Sequence, residues 1–247
     1  MHGDLADPAP ITMLRVHDVD VFIQASHILR KISLEAAAGE LVCLVGRNGA
    51  GKTTTLRTVM GYLRPAAGTI TLAGMPIAGL PTHTIAARGV GYAPEESAVF
   101  GDLTVAENIE LATWTRPGGR PAAERMARAY EIFPRLRGAA ARGGTQLSGG
   151  ERKMLSIARA LALDPTLLLL DEPFEGLSPA IIPQLTEAIA AIAGLGPGIL
   201  LAESNIHHVP RYATRLYVIE RGEIVFAGRP DELRGRPDLA RIVGAGL

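Results

Sequence analysis

Cysteine is nearly absent: among 247 residues there is one, Cys43. A lone thiol excludes an internal disulfide framework and fits a reducing compartment. Net charge is absent too, with 25 Lys+Arg against 25 Asp+Glu. No basic run exceeds two residues, so nothing in the chain resembles the basic field that attracts nucleic acid or anionic lipid. Long apolar runs are missing. Leu167–Leu170 is followed at once by Asp171-Glu172-Pro173, and Ala188–Ala202 is cut by Gly194, Gly196, Pro197 and Gly198, whereas a membrane span needs about 20 uninterrupted apolar residues. The N-terminus carries Asp4 and Asp7 where a signal peptide has basic residues. There is no internal repeat and no low-complexity tract. The expectation is a soluble, cytoplasmic protein that meets a membrane only through a partner.

The sequence is 47% apolar and 20% charged, which is the composition of a globular chain. Its length suits one large domain or two small ones. Residues 1–12 read as a loose extension and 13–247 as the folded unit. Short strands are expected at Leu14–Val19, Ile28–Leu34, Thr69–Ala73, Gly89–Ala93 and Ile199–Ala202. Leu41–Val45 and Leu167–Leu170 are wholly apolar, as strands buried on both faces are. Helical spacing runs through Lys52–Tyr62, Leu103–Thr115, Ala122–Phe133, Glu151–Leu163, Pro179–Ile192 and Val209–Ala213, with terminal helices at Asp231–Arg234 and Pro237–Val243. A hairpin, Leu216–Ile219 with Glu223–Phe226, turns at Arg221-Gly222. The region around 95–165 holds no strong strand and reads as a helical insert on an α/β core.

Three motifs carry chemistry. Gly46-Arg47-Asn48-Gly49-Ala50-Gly51-Lys52-Thr53 follows the buried strand at Leu41–Val45 and opens a helix. This is the order of a phosphate loop: glycines turn backbone N–H groups toward phosphates, the helix N-terminus adds partial positive charge, Lys52 reaches the β- and γ-phosphates, and the Thr53 hydroxyl meets Mg²⁺. Thr54 continues the loop. Leu167–Leu170 carries Asp171 out at the C-terminal end of a buried strand, where open α/β sheets bind ligands. Asp171 suits Mg²⁺, and Glu172 suits a base that polarises water aimed at the γ-phosphate. Leu147-Ser148-Gly149-Gly150-Glu151 places a Ser and two Gly ahead of a helix, either as a plain N-cap or as a phosphate site. No [NT]-K-x-D motif for reading guanine is present.

These motifs, in this order and spacing, resemble the Walker A, Walker B and signature motifs of ABC transporter ATP-binding subunits, over residues 13–247. The resemblance implies a P-loop NTPase core of ABC ATPase type with an antiparallel β subdomain and a helical subdomain insert. It also implies ATP and Mg²⁺ as ligands and a head-to-tail pairing with a second ABC subunit, identical or a LivG-like paralogue. In that pairing Gly46–Thr54, Asp171 and Glu172 act on one ATP while Ser148, Gly149 and Gly150 act on the partner's. Transmembrane permease subunits and, indirectly, a solute-binding protein are implied as partners, which places the chain peripherally on the cytoplasmic face of the membrane. The runs Gly91-Tyr92-Ala93-Pro94-Glu95-Glu96, Phe100–Asn108 and Asp171–Pro179 resemble the LivF-like branch, which energises uptake of branched-chain and related hydrophobic amino acids, amides or urea.

Several positions depart from the wider family. Glu95 stands where most members have Gln, a residue that couples Mg²⁺ and the attacking water to the insert. Ser204 stands at the switch position, usually His or Gln, with Asn205 beside it as a substitute and His207-His208 read as solvated or capping. Ile23 aligns with the adenine-stacking aromatic, leaving Phe22 either as that platform or as a core residue. Ser178 replaces an Asp after the second motif. Cys43 reads as structural, and Trp114 and Phe133 as core residues of the insert. Alternative readings are a largely non-hydrolytic subunit, motivated by Ser204, and an ATPase of lipid or lipopolysaccharide export.

Overall fold

A computed structural model describes residues 12–116, 118–240 and 242–243. The extension expected over residues 1–12 lies outside them except for Thr12, and the C-terminal helix expected over 237–243 is described only in part. In chain order the elements are β1 (Thr12–Ile23), β2 (Ser26–Ala37), β3 (Leu41–Val45), α1 (Lys52–Val59), β4 (Ala67–Leu72), β5 (Met75–Pro76), α2 (Thr82–Ala87), β6 (Val90–Ala93), α3 (Val105–Thr113), α4 (Ala122–Ile132), α5 (Pro134–Gly138), α6 (Gly149–Ala162), β7 (Leu167–Asp171), α7 (Ile182–Ala193), β8 (Gly198–Glu203), β9 (Arg215–Glu220), β10 (Glu223–Gly228) and α8 (Pro237–Ala240).

Two sheets result. The larger runs β10-β9-β3-β8-β7-β6, parallel from β9 to β6 and closed at the other edge by the antiparallel β9–β10 hairpin. The smaller, β2-β1-β4-β5, is antiparallel throughout. Side chains of the large sheet alternate between two cores. Cys43, Val45, Leu168, Leu170, Ile199 and Leu201 face the helices. Val42, Leu44, Leu167, Leu169, Leu200 and Ala202 face α1 and the small sheet. Burial on both faces is why these strands read as unbroken apolar runs.

Local chemistry fixes the ends. Thr104 and Glu107 form a reciprocal capping box at α3, and Ser148 and Glu151 form one at α6. The β9–β10 turn uses Arg221 and Gly222, both with positive φ (49° and 82°), as a tight hairpin turn requires.

Three departures have physical causes. Val209–Ala213 is not helical; a 3-10 turn forms earlier, at Ile206–His208, capped by the Asn205 side chain, and Pro210 keeps Val209 extended. Trp114 is 69% exposed, because it caps the C-terminus of α3 at the rim of the insert, whereas Phe133 is in the core. Helices α2 and α5 are too short, with one buried residue each, to leave an apolar period.

Candidate active site

The loop after β3 is shaped by close packing. Cβ on Gly46 would fall 2.3 Å from the Ile219 carbonyl oxygen, and Gly51 sits at φ +115° against Leu29. Both positions require glycine. The β9–β10 turn holds the loop from the side, with the Gly222 N–H donating to the Ala50 carbonyl at 2.9 Å. Helix α1 then starts with no side-chain cap and no acidic residue in its first turn. Its first N–H groups are left for an external acceptor, as an anion site at a helix N-terminus needs.

Lys52 is buried and turns back over the loop. Its Nζ donates to the carbonyls of Gly46 (2.7 Å) and Arg47 (3.1 Å) and lies 3.1 Å from Glu172 Oε1. The Thr53 hydroxyl donates to Asp171 Oδ1 at 3.1 Å, and the Tyr92 hydroxyl donates to Oδ2 at 3.0 Å. Burial raises the Asp171 pKa, and Glu95 and Glu172 add to the rise, while the Tyr92 and Thr53 hydroxyls oppose it.

Glu172 follows with φ +45°, a left-handed conformation uncommon for a residue with a side chain. It breaks the strand's alternation, so two successive carboxylates serve one site. Oε2 of Glu172 is buried with no conventional hydrogen-bond donor. Burial pushes the Glu172 pKa up, but Glu175, Lys52 and Ser204 outweigh it and hold the carboxyl below its usual range. Glu175, in turn, is pushed up to about 7 by its neighbour Glu172. Ser204 follows β8 directly, at the same end of the sheet as Glu172.

Thus Gly46–Thr54, Asp171, Glu172 and Ser204 converge at the C-terminal end of the large sheet. Glu95 follows β6 nearby, its side chain exposed and its charge felt at Asp171. Phe22 is not a core residue: it is 49% exposed and stacks on His27, with ring centroids 4.2 Å apart. Ser148, Gly149 and Gly150 stand apart. They open α6 at the surface, and no hydrogen bond among the described residues ties them to Gly46–Thr54. Asn205 spends its carbonyl capping the His207 N–H. His208 is not solvated: its Nδ1 lies 3.1 Å from the fully buried Glu203, which raises the imidazole pKa.

The family model described as ABC transporter matches residues 29–175. The chain belongs to the ABC transporter family. Within that family it is an ATP-binding subunit, an ATPase. It is 38% identical over 213 residues to the high-affinity branched-chain amino acid transport ATP-binding protein BraG of Pseudomonas aeruginosa, covering 86% of this chain and 91% of that one. It is 36% identical over 217 residues to the lipopolysaccharide export system ATP-binding protein LptB of Acidithiobacillus ferridurans, covering 87% and 89%. A solved structure of an ATP-binding subunit of an ABC transporter superposes with a TM-score of 0.81 at 30% identity, over 92% of this chain and 94% of that one. Identity therefore does not separate the LivF-like branch from the lipopolysaccharide-export relatives.

Three residues of this ABC site escape the motifs. Tyr92 reaches Asp171 because β6 pairs with β7 in a register that sets Tyr92 opposite Leu169, and only the pairing reveals it. Glu203 is masked by its place at the end of an apolar strand. Lys153 is hidden by its place behind Glu151 and Arg152 in the polar first turns of α6; it is buried and donates to the Glu95 carbonyl at 2.7 Å.

Proposed function

We propose that the chain hydrolyses Mg-ATP at a site completed by a second ATP-binding subunit, and that closure of the pair drives uptake of branched-chain or related amino acids through membrane permeases. The observation that carries the hydrolytic reading is the convergence of an uncapped helix N-terminus, the Thr53–Asp171 contact and a buried, donor-free Glu172 oxygen.

The loop from Gly46 to Thr54, Arg47, Asn48, Gly49, Ala50 and Gly51 included, wraps the phosphates and donates its unspent N–H groups to them, while the Gly46 and Ala50 N–H groups hold the loop's shape by donating to the Glu203 and Arg47 carbonyls. Lys52 leaves the Gly46 and Arg47 carbonyls to meet the β- and γ-phosphates. Thr53, Asp171 and Glu95 are the groups that would hold Mg²⁺, a hard cation suited to hydroxyl and carboxylate oxygens. When bound, that ion neutralises charge on the β- and γ-phosphate oxygens. Water attacks the γ-phosphorus, the bond to the bridging oxygen breaks, and ADP and phosphate result. Glu172 takes the proton from that water, and its depressed pKa keeps it ionised for the task. Ser204 orients the same carboxylate and the water. Phe22 offers its exposed ring to adenine. Ser148, Gly149 and Gly150 grip the partner's nucleotide.

The amino-acid reading rests on the 38% identity to BraG together with the runs at Gly91–Glu96 and Asp171–Pro179. The 36% identity to LptB favours, as a second reading, an ATPase of lipopolysaccharide export. No described helix is long and apolar enough to cross a membrane, so either reading takes its transmembrane path from partners, with the chain on their cytoplasmic face.

The test is Mg-ATP turnover of the purified chain at several concentrations. Glu172→Gln should abolish turnover and preserve Mg-ATP binding; unchanged turnover would remove Glu172 from its role. A rate growing with the square of concentration marks a homodimer. Membrane subunits co-purified from native membranes separate the two transport readings by their identity.

A further inference from the structure

Lys153 is a buried cation for which the reaction above has no use. It lies on α6, little more than one turn past Ser148–Gly150, and is 6% exposed. Its Nζ donates to the backbone carbonyl of Glu95 rather than to a carboxylate. Farther along α6, Arg159 Nη1 donates to the Ala98 carbonyl of the same loop at 2.5 Å. The loop between β6 and α3 is therefore fastened to α6 at two points.

Burial of an ammonium is costly unless negative charge surrounds it. Burial dominates and pulls the Lys153 pKa below its usual value, and the charges of Glu95 after β6, Asp171 at the end of β7, Glu175 in the turn that follows and Glu203 at the end of β8 oppose that fall. None of these forms a salt bridge with Lys153 among the described residues, so its charge is shared across the group. Lys52 is already engaged with Glu172, and His208 with Glu203. Mg-ATP brings further net negative charge into this crowd of carboxylates.

We infer that Lys153 is a positioning residue for the chain's own nucleotide site: it fixes the Glu95 loop by its backbone and supplies the positive charge that lets a carboxylate stand at position 95 beside Mg-ATP. The inference rests on the Mg-ATP reading above.

A double-mutant cycle on equilibrium Mg-ATP binding tests the assignment. Lys153→Gln keeps a donor for the carbonyl and removes the charge. It should weaken Mg-ATP binding about tenfold, or roughly 1.4 kcal/mol, with the melting temperature of the nucleotide-free protein little changed. In a Glu95→Gln background the same substitution should cost less than about twofold, since the carboxylate to be balanced is gone. Equal losses in both backgrounds would overturn the charge role, and binding by Lys153→Gln within about twofold of the parent would overturn the assignment altogether. Should Lys153→Gln fold poorly, Lys153→Met run through the same cycle reads the same coupling. A parent chain that does not bind Mg-ATP at all would instead refute the proposed function.

Discussion

Tyr92→Phe isolates one hydrogen bond with a predictable worth. Asp171 is 1% exposed, and its two oxygens are met by one hydroxyl each, Thr53 on Oδ1 and Tyr92 on Oδ2. Removing the Tyr92 hydroxyl leaves Oδ2 of a buried carboxylate short of a donor. A hydrogen bond to a charged group contributes about 1.5–3 kcal/mol. Tyr92 itself is only half-buried, so water can partly replace it, and we expect about 2 kcal/mol. With a urea slope of about 2–3 kcal/mol per molar, the unfolding midpoint should drop by about 0.7–1 M. Tyr62→Phe, at a ring 58% exposed, is the matched control and should move the midpoint by less than about 0.2 M. The nucleotide-bound protein should be hit harder. If Thr53 turns to Mg²⁺, Tyr92 becomes the main protein donor left to Asp171, and loss of such an outer partner costs about 10–100-fold in metal affinity. A Tyr92→Phe midpoint within 0.2 M of the parent, with unaltered Mg²⁺ dependence of ATP binding, would refute the reasoning.

Other perturbations have equally definite expectations. Because Glu203 raises the His208 pKa, the folded protein binds that proton more tightly than the unfolded chain does. The pair's stabilisation is complete below about pH 6.5 and is lost as pH rises through the folded-state value, so urea midpoints should fall as pH rises above about 6.5. His208→Gln should flatten that slope, and an unchanged slope would count against the pair. Gly46→Ala would drive a Cβ to 2.3 Å from a backbone carbonyl and should cost about 1–3 kcal/mol along with Mg-ATP binding. Gly149→Ala meets nothing within 4 Å and should leave the unfolding midpoint in place; equal midpoints for the two variants would contradict the packing argument.

The parallel core was legible because its strands are buried twice over. Leu41–Val45 and Leu167–Leu170 needed no partner to be recognised, and the Gly46–Thr53 spacing announced the turn between strand and helix. Asp171 and Glu172 were legible because carboxylates directly after such a strand have few other uses. What stayed hidden depends on contacts between distant elements. Tyr92 is an ordinary strand residue until β6 lies beside β7. His208 looked like one of a pair of surface histidines until Glu203 was found buried at 0% exposure beneath it. Trp114 misled for the opposite reason: its size argued for burial, but its position at a helix end decided the outcome. Val209–Ala213 had helical composition, yet Pro210 and the Asn205 cap moved the turn upstream.

The four leucines of β7 have a consequence for how the chain finds its fold. Leu167 and Leu169 enter one core, and Leu168 and Leu170 enter the other. A strand normally records its register in the difference between its two faces, so that a slip by one residue is penalised at every side chain. Four identical side chains in a row, buried on both sides, keep no such record, and a slipped strand would pack nearly as well. The record is kept by Asp171 instead. Only one alignment brings its carboxylate to the hydroxyls of Thr53 and Tyr92, and any other strands a charge among leucines or leaves a core position open. The residue proposed to hold Mg²⁺ thus doubles as the mark by which the central strand finds its place.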